Sequence, residues 1–205
     1  RFFFMRLGFF GGTFNPVHLG HLALAKTAIK LLQLDHLWWL PANPWQKNAA
    51  DLMPKEKRLA LLRLAIADRQ SMSIDTRELD RKTVSYSIDT VRELAALYPK
   101  DQRFYLIGAD QWTNFHTWKD WRRIFDYVTL VVFTRNNECG HCSDEVSAYV
   151  KERKVEVLHL KMPTLDIESS QIRTLLNSDA PIDLKLATLV PESVLERLKK
   201  ERTKD

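Results

Sequence analysis

Cysteine is nearly absent from this chain: there are two in 205 residues, Cys139 and Cys142, separated by Gly140-His141. A lone CxxC gives neither a disulfide framework nor a strong zinc or redox signal, so both thiols read as surface groups in a loop, and a reducing cytoplasm is the default compartment. No apolar run approaches the roughly 18 residues that a membrane span needs. The opening Arg1-Phe2-Phe3-Phe4, ahead of Met5, is too short for a secretion signal. There is no internal repeat, low-complexity tract or Gly/Ser linker, and no residue is nominated as a metal ligand. What remains is an ordinary globular composition, 45% hydrophobic and 10% aromatic, with a net charge of +5. That charge favours anionic partners, among them nucleotides, nucleic acid and acidic membranes.

Apolar runs that read as strands recur at 5–10, 35–40, 72–75, 103–107, 128–134 and 155–158. Between them Leu22, Ala25, Ile29 and Leu32 repeat at helical spacing, then Leu59, Leu62 and Ile66, then Ile88, Val91, Ala95 and Tyr98. Pro54 suits the first turn of the second of these helices, and Ser85 or Ser87 is the expected cap of the third. The alternation predicts an α/β fold, a doubly wound parallel sheet with helices on both faces and ligands at the carboxyl ends of its strands. A single domain is expected over 1–205, with its core in 5–160 and helices in 161–205. The stretch from Pro191 to Asp205 reads as one amphipathic basic helix. Val194, Leu195 and Leu198 face inward, and Arg197, Lys199, Lys200 and Arg202 form a solvated face rather than a nucleic-acid site.

The most informative segment is Gly11-Gly12-Thr13-Phe14-Asn15-Pro16-Val17-His18-Leu19-Gly20-His21, set between an apolar run and a helical one. It reads as strand, glycine turn and helix, an arrangement that aims backbone N–H groups and a helix N-terminus at a phosphate. The glycines are expected to allow close approach and positive φ. His18 and His21, three apart, share one side of the helix if its first turn begins near Val17. A Gly-Gly turn after a strand is common, and only the combination is specific. Near the other end, Asp166-Ile167-Glu168-Ser169-Ser170-Gln171-Ile172-Arg173 opens another helical pattern. The serines could simply cap that helix, or with Arg173 form a second anion cradle.

These two segments resemble the (H/T)xGH and ISSTxIR motifs of the nucleotidylyltransferase superfamily, with Glu168 in place of the usual first serine. The GGTFNPxH version is similar to the bacterial nicotinate mononucleotide adenylyltransferases. The resemblance implies a Rossmann-like domain with the phosphate-binding motif in the C-terminal part. ATP is expected at Gly11, Gly12, Thr13, Phe14, His18, His21, Gly108, Asp110, Ser169, Ser170 and Arg173, with His18, His21 and Arg173 catalytic. Leu40-Pro41-Ala42-Asn43-Pro44-Trp45-Gln46-Lys47 resembles the loop after the family's second strand, Lys47 matching and Gln46 standing where histidine is usual. Ser85-Tyr86-Ser87 matches the family's S-Y-T. Gly108-Ala109-Asp110 through Trp118 matches the segment whose last aromatic stacks on the pyridine ring. The resemblance therefore assigns the mononucleotide to Lys47, Tyr86, Ser87, Asn114, Trp118 and Arg135, with backbone N–H groups at Ser87 and Asn114 meeting the nicotinate carboxylate. Trp112, Phe115, Trp118 and Trp121 are equally compatible with a core stripe.

The expected activity is adenylyl transfer from ATP to nicotinate mononucleotide, giving deamido-NAD and pyrophosphate in NAD biosynthesis. Mg²⁺ is expected to arrive with ATP. A phosphate nucleophile is already ionised at pH 7, which suits a chain without an obvious catalytic dyad. Alternatives are the amidated mononucleotide or phosphopantetheine as acceptor, and, outside enzymes, a basic RNA-binding module. No RNA-recognition motif is evident, so neither nucleic acid nor membrane is expected as a partner, and a homo-oligomer is left open.

Overall fold

The computed structural model describes residues 4–44, 51–135, 140–162, 165–178 and 183–202. Six strands form one all-parallel sheet: β1 (Arg6–Gly12), β2 (His36–Pro41), β3 (Met72–Ile74), β4 (Gln102–Gly108), β5 (Thr129–Arg135) and β6 (Val157–Met162). Their order across the sheet is β3-β2-β1-β4-β5-β6. Five of them coincide to within about two residues with the apolar runs of the sequence, because a parallel strand covered on both faces is apolar almost throughout. The edge strand β6 meets its run, 155–158, only at Val157 and Leu158 and alternates half-buried with exposed residues to Met162. Winding reverses between β1 and β4, and the carboxyl ends of these two neighbours form the crevice where such sheets bind ligands.

Alternating side chains divide the interior into two layers. Phe10, Trp39, Leu106 and Val131 point to one face, where they meet α1 (Leu19–Leu31) and α2 (Lys55–Ile66). The C-terminal helices α8 (Ser169–Leu176), α9 (Asp183–Ala187) and α10 (Glu192–Arg202) pack into that same layer through Ile172, Leu186, Val194, Leu195 and Leu198. Phe9, Leu40, Tyr105 and Val132 point to the other face, toward α4 (Ser87–Leu97), α5 (Ala109–Thr113), α6 (Trp121–Ile124) and α7 (Asp144–Arg153). Among the described residues no helix is long and apolar enough to cross a membrane.

Several local expectations shift. Pro54 stands one residue before α2, as its cap. α4 is preceded by the four-residue α3 (Arg77–Asp80), and its cap position is Tyr86, without a side-chain bond. Both candidate serines are engaged elsewhere: Ser85 accepts from Arg81, and Ser87 is hydrogen-bonded to the Tyr105 hydroxyl. α7 carries no strong apolar repeat, so the sequence pattern does not mark it. It starts at Ser143, whose Oγ accepts from the Val146 N–H at 3.4 Å. Cys142 is half-buried against the β4–β5 layer rather than on the surface, and burial pushes its thiol up; Cys139 lies outside the described residues.

Candidate active site

β1 carries Gly11 and Gly12 to the carboxyl edge of the sheet, and the chain turns through Thr13–Val17 into α1. Neither glycine has positive φ, contrary to expectation; the left-handed residue is Phe14, at φ 47°. A bulky side chain adopts that conformation only where its surroundings fix it. Here the ring is wedged against Phe10, His21 and Trp39 at centroid distances of 5.3, 5.1 and 5.1 Å. The glycines serve close approach instead. A Cβ on Gly12 would stand 2.9 Å from the Phe14 ring, and one on Gly11 3.3 Å from the Tyr105 hydroxyl. The Asn15–Pro16 peptide is cis.

α1 begins at Leu19, so His18 is its cap and His21 its third residue. Their rings stack, with centroids 3.6 Å apart and planes 26° from parallel. Gly20 permits this, since a Cβ there would stand 3.0 Å from the His18 ring. Both histidines line a cleft of about 610 Å³ whose other walls are Gly108–Asp110, at the end of β4, and Ile167–Ser169.

Ser169 and Arg173 reach this loop from behind. The Ser169 hydroxyl donates to the Pro16 carbonyl at 3.0 Å, and Arg173 Nη1 donates to the Asn15 carbonyl at 3.0 Å. They brace the turn, which adds a role to the expected anion cradle. Ser170 donates to the carboxylate of Glu168, the residue that departs from the family pattern.

On the far side of Asp110 the cleft continues. Ser85, Ser87, Asp110, Gln111 and Trp118 border two adjoining hollows, of about 530 and 790 Å³. The first runs back to Gly11–Thr13 and Ala42–Pro44; the second is closed by Tyr86, Asn114 and Lys119. Trp112, Phe115 and Trp121 are core residues, whereas Trp118 is half-buried, resting on Phe115 and facing the hollow. Ser87 is the first residue of α4, so its N–H has no carbonyl within the helix to receive it. The Asn114 N–H, in contrast, donates to the Asp110 carbonyl at 3.3 Å. Lys47 lies outside the described residues, as does the side chain of Arg135, whose backbone ends β5.

Three groups at this site escaped the sequence reading. Lys119 Nζ sits 4.4 Å from the Tyr86 ring centroid at the rim of the larger hollow. Glu78 is buried against the smaller one and accepts from Thr90 Oγ1 at 2.7 Å; burial raises its pKa, opposed by the Thr90 bond and the Arg81 charge. Tyr105 is buried between Gly11 and Ser87, and burial pushes its hydroxyl up, keeping it neutral. A separate hollow of about 630 Å³ lies at the amino ends of β1, β4 and β5, with Arg6 and Arg103 in its lining. Both arginines there donate to backbone carbonyls.

Residues 9–175 match the model of the cytidylyltransferase-like family. A protein of Methylibium petroleiphilum, named probable nicotinate-nucleotide adenylyltransferase, is 36% identical over 92% of this chain and 87% of its own. One of the same name from Bordetella parapertussis is 37% identical over 92% of each chain. Among solved structures, Plasmodium falciparum nicotinic acid mononucleotide adenylyltransferase complexed with NaAD superposes with a TM-score of 0.75 at 14% identity, over 96% of both chains.

Proposed function

The chain belongs to the cytidylyltransferase-like family and, within it, to the nicotinate-nucleotide adenylyltransferases, and from that membership we propose how its cleft joins ATP to nicotinate mononucleotide. The reaction gives deamido-NAD and pyrophosphate. The observation that carries the site assignment is a row of three hollows meeting at Asp110 across the β1/β4 boundary, with the histidines in the first, the glycine loop in the middle one and Trp118 bordering the other two.

A phosphate oxygen of the mononucleotide attacks the α-phosphorus of ATP. The new P–O bond forms as the bond to the bridging oxygen breaks, and pyrophosphate departs with that electron pair. No proton has to be removed first, so the protein's tasks are alignment and stabilisation of charge. Backbone N–H groups of Gly11–Phe14 receive the phosphates, His21 donates to the α- or β-phosphate, and His18 helps hold the triphosphate. Arg173 braces the loop with one nitrogen and offers its remaining N–H groups to phosphate. Asp110 meets a nucleotide hydroxyl. Ser169 and Ser170 complete the anion-binding edge through their backbone N–H groups at the start of α8, since their hydroxyl protons go to Pro16 and Glu168.

At the other end the pyridine ring stacks on Trp118, with Tyr86, Lys47 and Arg135 around the mononucleotide. The carboxylate is received by the N–H of Ser87, while Asn114 takes part only if its N–H leaves the Asp110 carbonyl. The donor set of imidazoles, hydroxyls and backbone N–H groups suits phosphate, so Mg²⁺ fits as an ion carried in by ATP, with Asp110 the residue that would hold its waters. Bound there, the ion supplies neutralisation of charge on the departing pyrophosphate. The test is pyrophosphate release from MgATP with nicotinate mononucleotide, its amide and phosphopantetheine side by side. Turnover with phosphopantetheine alone, or with none of the three, overturns the reading.

A further inference from the structure

Arg58 is a charged residue in the wrong place for a surface helix. In α2 the buried positions are 58, 61, 62, 65 and 66, a single apolar stripe with an arginine at its head. The residue is 1% exposed, and no ion pair reaches it among the described residues. Its guanidinium holds backbone instead. Nη1 donates to the Thr13 carbonyl at 2.6 Å and to the Ala42 carbonyl at 2.9 Å, and Nε donates to the Met53 carbonyl at 3.2 Å.

Thr13 belongs to the glycine loop and Ala42 to the loop after the neighbouring strand β2, and both line the 530 Å³ hollow just beyond the last β1–β2 bond, from the Ala42 N–H to the Gly12 carbonyl at 2.8 Å. One nitrogen therefore ties the two loops together where the sheet pairing ends. Asn15 makes a parallel tie, donating to the Asp51 carbonyl at 2.8 Å and accepting from the Met53 N–H at 2.9 Å. Packing alone does not ask for a cation here. A methionine would fill the stripe without the desolvation that burying a charge entails, which burial registers by lowering the arginine's pKa.

We propose that Arg58 is a positioning residue for adenylyl transfer, holding the phosphate-binding loop and the β2 loop at a fixed separation so that the two substrates meet in line. The proposal rests on the transferase reading above. In full-length Arg58→Met, kcat should fall about 10- to 100-fold while each KM moves less than about threefold, the signature of misaligned rather than weakened binding. Arg58→Lys, which keeps charge and some donors but not the fork, should fall between wild type and Met. Rates are read well below each variant's own Tm. Hydrogen exchange should quicken in residues 11–18 and 40–44 and stay unchanged in β4 and β5. A folded Arg58→Met enzyme with kcat near that of wild type and unaltered exchange overturns the proposal; so does failure of both variants to fold, which would make Arg58 a general stability residue. If wild type itself releases no pyrophosphate, the transferase reading fails, while the exchange comparison still decides whether Arg58 holds the loops.

Discussion

The backbone N–H of His18 donates to Nδ1 of His21 across 3.2 Å, so the neutral His21 ring carries its proton on Nε2. One bond caps the helix and selects the tautomer that can donate to a phosphate. The two roles are separable. His21→Ala should lower kcat by about 10²–10³, the scale for losing one preorganised donor, with a smaller change in KM for ATP. His21→Asn, whose Oδ1 can still accept from His18, should lose as much turnover but keep a Tm about 2–4 °C above that of the alanine variant, the shift expected for a cap of roughly 1 kcal/mol. Near-normal kcat in either variant makes the histidine structural.

Trp118→Ala should raise KM for the mononucleotide by an amount corresponding to roughly 1–3 kcal/mol of stacking, with KM for ATP little changed. The reason is that Trp118, unlike buried Trp112 and Trp121, offers part of its ring to the hollow. Steady-state kinetics in both substrates decides. Equal weakening of both, or loss of soluble protein, returns Trp118 to the core.

Nicotinate should be preferred to its amide. The N–H of Ser87 at the start of α4 and the ammonium of Lys119 both favour an anion in that hollow. A carboxamide turns an NH₂ toward one donor, and an unmatched buried polar pair costs about 1–3 kcal/mol, roughly 5- to 150-fold in kcat/KM. Ser87→Ala should leave the ratio nearly intact, since the backbone is the reader, whereas Lys119→Met should narrow it. Equal kcat/KM for the two mononucleotides at saturating MgATP would remove the carboxylate reader while sparing the transferase.

Glu78 ties stability to pH. Its pKa is raised in the folded protein, chiefly by burial. Folding then retains a proton that the unfolded chain releases, so Glu78's own contribution to stability is fully present below the ordinary carboxylate pKa of about 4.3 and is lost as pH rises through the folded value. Glu78→Gln keeps an acceptor for Thr90 and removes that decline. The Tm of the variant minus that of wild type should therefore be larger at pH 8 than at pH 4. A difference independent of pH contradicts the burial argument.

The central strands were legible because each holds a continuous apolar run, and the glycine loop because its residue types are rare in combination. The edge strand β6 was less so, since His159 and Lys161 interrupt it. The helices were legible less well. In α2 the residues marked by spacing were Leu59, Leu62 and Ile66, but the buried face turned out to include Arg58, Leu61 and Ala65. The i, i+3, i+4, i+7 repeat from position 58 was present all along, disguised by a charge at its head. Glu78 and Tyr105 were hidden for another reason: their partners Thr90 and Gly11 lie 12 and 94 residues away, and no local pattern marks such a meeting. The site's polar scaffolding is written in tertiary contacts; its phosphate-facing residues are written in motifs.

The bonds from Ser169 to Pro16 and from Arg173 to Asn15 join positions 153 and 158 residues apart. During synthesis the glycine loop leaves the ribosome early and waits while five further strands are made. Its rear support arrives only with α8, so a nascent chain stopped after β6 could pair its whole sheet and still present an unbraced loop. Activity in such a chain should therefore appear late and abruptly, when the segment through Arg173 clears the exit tunnel, rather than growing with the length of folded sheet.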